Sequence, residues 1–235
     1  MKRNAIVLGA SSGIGAELSR YLAEKDWNVI GIGSRDLSGW VVTNGLTKKQ
    51  LDLSDWASYC KFLDTVFEDQ DAPELVINTI GRSDNRLFIQ SKNADLDQII
   101  EHNFKLPILA QNEFVKRASL QKKPITSVLL SSMSTHVIAV GNSLYAATKS
   151  ALTRAHAGMA LEYHRYGHVF YTISISLIEE SPMVQQLPIS ARENYEKRLF
   201  FPHVSQRELN EFVGYLAVSR PKALSGTEVA FGGLI

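Results

Sequence analysis

The segment Ala5-Ile-Val-Leu-Gly-Ala-Ser-Ser-Gly-Ile-Gly15 joins a short apolar run to the first amphipathic stretch of the chain. Counted from Gly9, glycines stand at the first, fifth and seventh positions. In a strand-to-helix turn, such glycines let the backbone approach a pyrophosphate at the positively polarised start of the helix. On these residues alone, a glycine-rich turn without a ligand is the alternative. The segment therefore predicts a first βα unit that binds a nucleotide cofactor, with contacts from Gly9, Ser11, Ser12, Gly13, Ile14 and Gly15.

Further apolar runs of strand length recur along the chain, and longer amphipathic stretches separate most of them. The predicted strands are Ala5–Leu8, Val29–Ile32, Leu75–Ile77, Ser127–Leu130, Val169–Ser176 and Glu228–Phe231. This alternation is typical of a mainly parallel sheet with helices on both faces, so we predict an α/β fold, a Rossmann-type doubly wound sheet. Either Trp40–Asn44 or Gln50–Leu53 could be the edge of one more strand, and the sequence does not choose between them.

Five amphipathic stretches predict helices, with Ser54 as a helix N-cap. The predicted helices are Gly13–Lys25, Ser54–Phe67, Asn103–Ala118, Ser143–Tyr166 and Ser205–Val218. Pro107, inside the third of these, predicts a kink or a later start. The proline-interrupted stretch Ile178–Pro202 differs from the rest and is the candidate for a mobile lid over a site. We predict one domain over residues 1–235, with residues 178–202 as its substrate lid.

The overall charge of the chain is close to neutral, with 25 basic and 24 acidic side chains and a net charge of +1. Neither a nucleic acid nor a membrane is therefore expected as a partner. Cys60 is the only cysteine, which excludes an intrachain disulfide, and the N-terminus runs directly into a strand, so a cytoplasmic location is expected. His164 and His168 are four apart, but Gly167 lies between them and no third ligand is near in sequence, so no metal site is expected.

A second motif, Tyr145-Ala-Ala-Thr-Lys149, lies within a predicted helix, and Ser132 precedes Tyr145 by thirteen positions. Residues four apart on a helix share one face, so Lys149 can reach toward the Tyr145 ring. Its positive charge favours the phenolate, which makes the phenol a better proton donor and acceptor near neutral pH. Ser131 and Ser134 are the neighbouring alternatives to Ser132, and only the spacing separates them.

With these motifs in place, the chain resembles the short-chain dehydrogenase/reductase family over nearly its whole length. Gln50-Leu-Asp-Leu-Ser54 looks like the family segment whose aspartate meets the adenine, which assigns Asp52 and Leu53 to the cofactor. Asn78-Thr-Ile-Gly81 stands in place of the family segment Asn-Asn-Ala-Gly, and Asn103 stands where the fourth catalytic residue lies. Ser225–Gly233 is similar to the closing strand with its Gly-Gly turn. The resemblance also assigns to the cofactor site Asn78, Thr79 and Gly81.

The resemblance implies an oxidoreductase that interconverts a ketone and a secondary alcohol by hydride transfer with a nicotinamide cofactor. In the family mechanism Tyr145 is the acid in reduction and the base in oxidation, and Ser132 polarises the carbonyl oxygen. Lys149 assists Tyr145 and binds the nicotinamide ribose, while Asn103 holds a water that links Lys149 to solvent. Two other classes stay open: a cofactor-dependent sugar isomerase or dehydratase, and a non-catalytic scaffold that binds the cofactor.

The end of the second strand, Gly31-Ile-Gly33-Ser34-Arg35-Asp36, bears on the choice between NAD and NADP. NAD-specific sites commonly place a carboxylate there, whereas NADP sites present a cation. By the family's spacing the acidic position falls on Gly33, so we predict NADP(H), with Arg35 gripping the 2′-phosphate and Ser34 hydrogen-bonding to it. Asp36 is the alternative, since its carboxylate could take the 2′-hydroxyl of NAD(H) and leave Arg35 a surface residue.

The chain departs from the family pattern beside the cofactor and the substrate. Thr79 and Ile80 replace the usual asparagine and alanine, and the usual Pro-Gly after the sixth strand is absent from Ser176–Met183. By resemblance, the Ile178 backbone meets the nicotinamide carboxamide, and Ser181 replaces the threonine near the phosphates.

The sequence does not identify the substrate, although it offers pocket candidates. These are Ser134, His136, Asn142 and Met183. Arg82 and Arg86 could serve an anionic substrate or an acyl-carrier partner, or be solvated loop charges. The helix that carries Tyr145 has small residues that allow close approach to another backbone, namely Ala151, Ala155, Ala157, Gly158 and Ala160. Because family members commonly pair this helix and the preceding one across a two-fold axis, a homodimer or homotetramer is expected.

Overall fold

The computed structural model describes residues 2–35, 43–68, 72–178, 180–185, 187 and 189–234. The strands are β1 (Arg3–Leu8), β2 (Trp27–Gly33), β3 (Leu46–Gln50), β4 (Leu75–Asn78), β5 (Thr126–Ser132), β6 (Val169–Ile175), β7 (Leu177–Ile178), β8 (His203–Val204) and β9 (Thr227–Phe231). The helices are α1 (Gly13–Glu24), α2 (Trp56–Glu68), α3 (Asn93–Ile100), α4 (Leu106–Leu120), α5 (Ser143–Tyr163), α6 (Pro182–Gln185), α7 (Ile189–Glu196) and α8 (Gln206–Ser219). No helix in these ranges is long and apolar enough to cross a bilayer.

Seven strands form one sheet in the order β3-β2-β1-β4-β5-β6-β9, with each neighbouring pair parallel. At its centre Leu8 of β1 is paired with Ile32 of β2 on one side and with Asn78 of β4 on the other. The strand order reverses between β1 and β4, and ligands of such sheets bind in the crevice beyond the carboxyl ends at this point. The predicted Rossmann-type fold class is confirmed.

Apolar side chains fill both faces of the sheet, because strands covered by helices on two sides leave no face for water. On one face Leu22 of α1 and Val213 of α8 are fully buried against the strands. On the other face Leu63 of α2 and Phe114 of α4 are equally buried. Each such side chain stabilises the fold by about 1.5–3 kcal/mol. The two layers therefore hold the carboxyl ends of the strands, and the loops that follow them, in fixed positions.

The six predicted strands all form, and each begins and ends within two residues of its predicted bounds. The additional strand of the seven-stranded sheet is β3, which falls between the two predicted edges, and β7 and β8 form a separate pair. Gln50 is the last residue of β3, while Trp40 lies outside the described residues. The fourth predicted helix forms as α5 and continues through a 3-10 turn to Tyr166.

The prediction for the third helix is wrong at its start. Helical structure begins earlier, at Asn93 of α3, and passes through a π turn (Glu101–Lys105) into α4. In this turn the Leu106 N–H donates to the Glu101 carbonyl, five residues back. Pro107 follows directly and has no N–H to donate, so it fits the first turn of α4 without losing a hydrogen bond. The proline therefore marks the π turn and the start of α4 within a longer helical segment.

The prediction of Ser54 as an N-cap is also wrong. The helix α2 begins at Trp56, and Asp55 precedes it. The Asp55 carboxylate accepts hydrogen bonds from the N–H and the hydroxyl of Ser58, at 3.1 and 2.6 Å. Asp55 therefore caps the helix, because its carboxylate accepts from the N–H of Ser58 in the first turn.

Candidate active site

The glycine turn between β1 and α1 is tight enough to require glycine at two positions. The Gly9 and Ala10 N–H groups both donate to the Ile32 carbonyl, at 3.0 and 2.8 Å, and Gly9 has φ of +86°. A Cβ added to Gly15 would lie 2.5 Å from the Gly9 carbonyl oxygen. Ser12 precedes α1 without capping it by its side chain. The first N–H groups of α1 therefore lack a side-chain cap, which suits a phosphate ligand.

Thr79 ties the end of β4 to this glycine turn. Its hydroxyl lies 2.9 Å from the Leu8 carbonyl oxygen and 3.2 Å from the Gly9 carbonyl oxygen, so one O–H serves both acceptors. A Cβ on Gly9 would lie 2.7 Å from the Thr79 hydroxyl oxygen. The threonine that replaces the family's asparagine thus makes a structural hydrogen bond of its own, and its hydroxyl is used within the protein.

Asn78, predicted to contact the cofactor, is fully buried. Its Nδ2 donates to the Pro107 carbonyl and to Gln111 Oε1, at 3.0 and 3.2 Å, and its Oδ1 accepts from the Ile80 N–H at 3.1 Å. The Asn78 side-chain amide therefore forms hydrogen bonds within the protein, and two of them join β4 to α4. This side chain has a structural role, and the contact of Asn78 with the cofactor stays a prediction.

The end of β2 presents Ser34 and Arg35 to solvent. A Cβ on Gly33 would lie 2.7 Å from Ser11 Cβ, so the close approach of the glycine turn requires glycine at this position. The carboxylate of an NAD-type site is accordingly absent at position 33, while Asp36 lies outside the described residues.

Asp52 and Leu53, predicted to meet the adenine, follow β3 at the same edge of the sheet. The exposed Asp52 carboxylate accepts from the Ser54 N–H at 2.9 Å, and this hydrogen bond lowers the pKa of Asp52. Leu53 is buried in the core that β1 and α2 share.

Ser132, Tyr145 and Lys149 line one cavity at the carboxyl ends of β5 and β6. Burial raises the pKa of the Tyr145 phenol, and a hydrogen bond with Ser132 opposes part of this rise. Of the alternative serines, Ser131 pairs its hydroxyl with Thr153 at 2.7 Å, and Ser134 is fully buried. Ser132 is therefore the serine whose hydroxyl meets Tyr145.

Lys149 is almost completely buried beneath this pair, with 3% of its surface exposed. Its Nζ donates to the Ile80 carbonyl at 3.0 Å and to the Leu130 carbonyl at 3.4 Å. Burial lowers the pKa of Lys149 to about 8. A Cβ on Gly81 would lie 2.9 Å from Nζ, so this glycine leaves the space that the ammonium group occupies.

Asn103 lies in the π turn and is fully buried. Its side chain clamps the backbone of Arg82, because Oδ1 accepts from the Arg82 N–H and Nδ2 donates to the Arg82 carbonyl, both at 2.8 Å. A weaker contact of 3.4 Å joins Nδ2 to Thr148 on α5. The water-holding role of Asn103 stays a prediction, and its side chain fixes the loop after β4 against α5.

The predicted lid supplies part of the cavity wall. Ile178, Ser181 and Met183 line the cavity, and Met183 Sδ lies 4.0 Å from the Tyr145 hydroxyl. In place of a Pro-Gly turn, Leu177 and Ile178 form β7 and pair with β8. The Ser181 N–H then donates to the Ile178 carbonyl at 2.9 Å and leads into α6. The departure from the family pattern thus produces a short extra strand at the edge of the site.

The predicted pocket candidates separate into two groups. Asn142 and Met183 line the cavity. His136 is instead held by Glu228 of β9, with 2.8 Å between Nε2 and Oε1, and Ser134 is buried behind the wall. The pocket role of His136 and Ser134 stays a prediction, and β9 brings His136 a carboxylate partner that proximity in sequence does not reveal.

Arg86 forms ion pairs within the protein, because its guanidinium contacts the carboxylates of both Asp84 and Asp95. These two carboxylates leave little of its charge for an anionic substrate. Arg82 is exposed on the preceding loop.

One residue that lines the cavity, Tyr195 on α7, is not among the predicted site residues. It is 4% exposed, lines the cavity and accepts a hydrogen bond from Asn142 Nδ2 at 2.9 Å. The sequence gives only a weak indication that Tyr195 is buried. Ala191 and Tyr195, four apart, are the buried residues of a helix that is otherwise mostly polar.

The chain matches the protein-family model described as short chain dehydrogenase over residues 3–191. A curated relative, the 3-oxoacyl-[acyl-carrier-protein] reductase FabG of Buchnera aphidicola subsp. Schizaphis graminum, is 23% identical over 99% of this chain and 96% of that protein. Both findings extend the likeness from single motifs to most of the chain.

Solved structures show the same fold. A short chain dehydrogenase from Leptospira borgpetersenii serovar Hardjo-bovis with bound NAD+ has a TM-score of 0.88 and 18% identity, covering 99% of this chain and 92% of that chain. ElxO with NADP bound has a TM-score of 0.84 and 17% identity, covering 98% of this chain and 97% of that chain. Proteins of this fold are therefore seen with either nicotinamide cofactor.

Proposed function

The chain belongs to the short-chain dehydrogenase/reductase family and is an oxidoreductase enzyme, and from this premise we propose that it interconverts a ketone and a secondary alcohol with NADP(H), using Tyr145 as acid and base. The observation that carries the proposal is the convergence of Ser132, Tyr145 and Lys149 on one cavity beside the glycine turn. A proton donor, a polarising hydroxyl and a buried cation in one place are the parts that carbonyl reduction needs.

The residues around the glycine turn fit a dinucleotide. Gly9 and Gly15 place no side chain between the backbone and a ligand, and α1 starts without a side-chain cap. The absence of a carboxylate at Gly33, next to exposed Ser34 and Arg35, supports NADP(H) over NAD(H). When bound, the nicotinamide supplies the hydride in reduction and accepts it in oxidation.

The side chains divide the proton chemistry between them. Tyr145 gives its phenol proton to the carbonyl oxygen in reduction and takes it back from the alcohol in oxidation. Ser132 Oγ accepts from the Ser134 N–H at 3.1 Å, which leaves its own O–H free to donate to the same carbonyl oxygen. Lys149 stabilises the phenolate that Tyr145 leaves behind, and solvent restores the proton.

Tyr145→Phe tests the acid–base role. The variant keeps the ring and should bind NADPH with an unchanged Kd, while turnover should fall at least about a hundredfold, because general acid–base catalysis supplies that much. The assay is NADPH consumption over a panel of ketones that begins with 3-oxo esters, since the curated relative is named for a 3-oxoacyl substrate. Tyr215→Phe, at an exposed tyrosine of α8, is the matched control. Substantial turnover by Tyr145→Phe would remove Tyr145 from this role.

Arg35→Ala tests the cofactor preference. Loss of a charge-assisted hydrogen bond to the 2′-phosphate should weaken NADPH binding by roughly tenfold or more and leave NADH binding nearly unchanged. Fluorescence titration with both cofactors measures this, with Arg207→Ala, at an exposed arginine of α8, as control. Tighter binding of NADH than of NADPH by the wild-type protein would contradict the proposal.

We also propose a homodimer or homotetramer built through α4 and α5. Leu161 of α5 is 78% exposed and Leu109 of α4 is 41% exposed, and a Cβ added to Gly158 would meet nothing within 4 Å. An apolar surface with an open glycine suits close packing of a second copy. Light scattering after gel filtration tests this, and a monomeric mass would contradict it. The single-domain organisation and the cytoplasmic location stay predictions.

A further inference from the structure

The cavity holds a second phenol that the proton chemistry does not use. Tyr195 of α7 and Tyr145 of α5 line the same cavity. Met133, Val184 and Leu199 pack around the Tyr195 ring in a small apolar cluster. The ring is thus fixed, and its hydroxyl is the polar end of an apolar wall.

The hydrogen bond from Asn142 sets the direction of the Tyr195 hydroxyl. Asn142 is 6% exposed, and its Nδ2 is a donor, so the phenol oxygen is the acceptor in this 2.9 Å contact. The Tyr195 O–H is then left to donate to another group. Burial raises the pKa of Tyr195, so the phenol keeps its proton and acts as a donor at physiological pH.

The charge of the cavity restricts what this donor can meet. Among the described residues that line it, Lys149 is the charged one, and its ammonium already donates to Ile80 and Leu130. Much of the remaining wall is apolar, including Leu177, Val184 and Leu187. A carboxylate beside Tyr195 would lose its hydration and gain only one neutral hydrogen bond, whereas an uncharged oxygen loses far less.

Building on the proposed function, we propose that Tyr195, held by Asn142, is a specificity-determining residue that donates a hydrogen bond to a second, uncharged oxygen of the substrate. The substrate class is a ketone that carries a neutral oxygen acceptor near the reacting carbonyl and an apolar remainder. Ser132 and Tyr145 hold the reacting carbonyl oxygen, and Tyr195 fixes the orientation of the rest. Keto acids, with a carboxylate at the same place, are excluded by charge.

The test compares three compounds with NADPH: ethyl 3-oxobutanoate, 3-oxobutanoate and 2-octanone, which lacks the second oxygen. For wild-type protein, kcat/KM should be highest for the ester and lowest for the carboxylate. Tyr195→Phe should lower kcat/KM for the ester by roughly fivefold to tenfold, as expected for one neutral hydrogen bond, and change that for 2-octanone less than about twofold. Asn142→Ala should reduce the same preference, and Tyr215→Phe should leave it unchanged.

The ratio of ester to ketone turnover separates a specificity role from a structural one. An equal loss on both compounds in Tyr195→Phe, with NADPH binding retained, would overturn the inference and show that the ring only supports the wall. Wild-type preference for 3-oxobutanoate, or for 2-octanone over the ester, would overturn it as well while leaving the proposed reduction standing. No turnover of the three by a wild-type protein that binds NADPH would overturn the inference and count against ketone reduction itself.

Discussion

Burial of Lys149 predicts a pH dependence of folding stability that one substitution isolates. The pKa of Lys149 falls from 10.5 to about 8 in the folded protein. Below pH 8 the folded and unfolded chains both carry the proton, so the cost of the buried charge is present in full. Between pH 8 and 10.5 the folded protein releases the proton while the unfolded chain keeps it, so this group makes stability rise with pH. At about 1.36 kcal/mol per pH unit, the total is about 3 kcal/mol.

Lys149→Met removes the titrating group and keeps the length of the side chain. The loss of the hydrogen bonds to Ile80 and Leu130 lowers stability by an amount that does not depend on pH, and most other titrating groups cancel in the comparison. Urea unfolding of the ligand-free proteins from pH 7 to 10.5 should therefore show wild-type stability rising by about 3 kcal/mol relative to the variant. Lys61→Met, at an exposed lysine of α2, is the control and should change far less. A difference between wild type and Lys149→Met that stays constant across this range would contradict the lowered pKa of Lys149.

Two further substitutions probe the loop after β4. Thr79→Val removes the hydrogen bond to Leu8 at nearly constant shape and should lower the free energy of unfolding by about 1 kcal/mol, measured with urea. Thr65→Val, on an exposed stretch of α2, is its control, and an equal effect of both would contradict the structural role of Thr79. Gly81→Ala should lower kcat about tenfold, because its Cβ displaces the Lys149 ammonium. An unchanged kcat in steady-state assays would show that this contact is dispensable.

The strands, the glycine turn and the Ser-Tyr-Lys spacing were predictable because each depends on residues close together in sequence. Apolar runs bury themselves in a parallel sheet, and a tight strand-to-helix turn requires glycine at Gly9 and Gly15. The start of the third helix was not predictable in the same way. Pro107 favours a helix start there, whereas the chain forms a π turn before it and continues a helix that begins at Asn93.

The contents of the pocket were less predictable because tertiary contacts decide them. His136 closely follows β5 in sequence. Its ring, however, contacts the carboxylate of Glu228, which is 92 residues away in sequence. Tyr195 stands in a polar stretch without an amphipathic pattern strong enough to place it, and only the packing of α7 brings it to Asn142. Local sequence therefore predicted Ser132, Tyr145 and Lys149, while the cavity wall depends on where α6 and α7 lie.

The loop after β4 explains how the chain tolerates its departure from the family's Asn-Asn-Ala-Gly. Asn78 holds the Ile80 N–H, Thr79 holds the glycine turn, and Asn103 holds both backbone groups of Arg82. Each of these three side chains hydrogen-bonds to main-chain atoms of the strap between residues 78 and 82 or of the glycine turn beside it, while Asn78 also contacts α4 and Asn103 also contacts Thr148. With the strap pinned at both ends, the Ile80 carbonyl faces Lys149 whatever side chain residue 80 carries. The backbone of this loop thus sets the position of the Lys149 ammonium, so the substitutions within it leave the hydrogen bond from Lys149 to the Ile80 carbonyl intact.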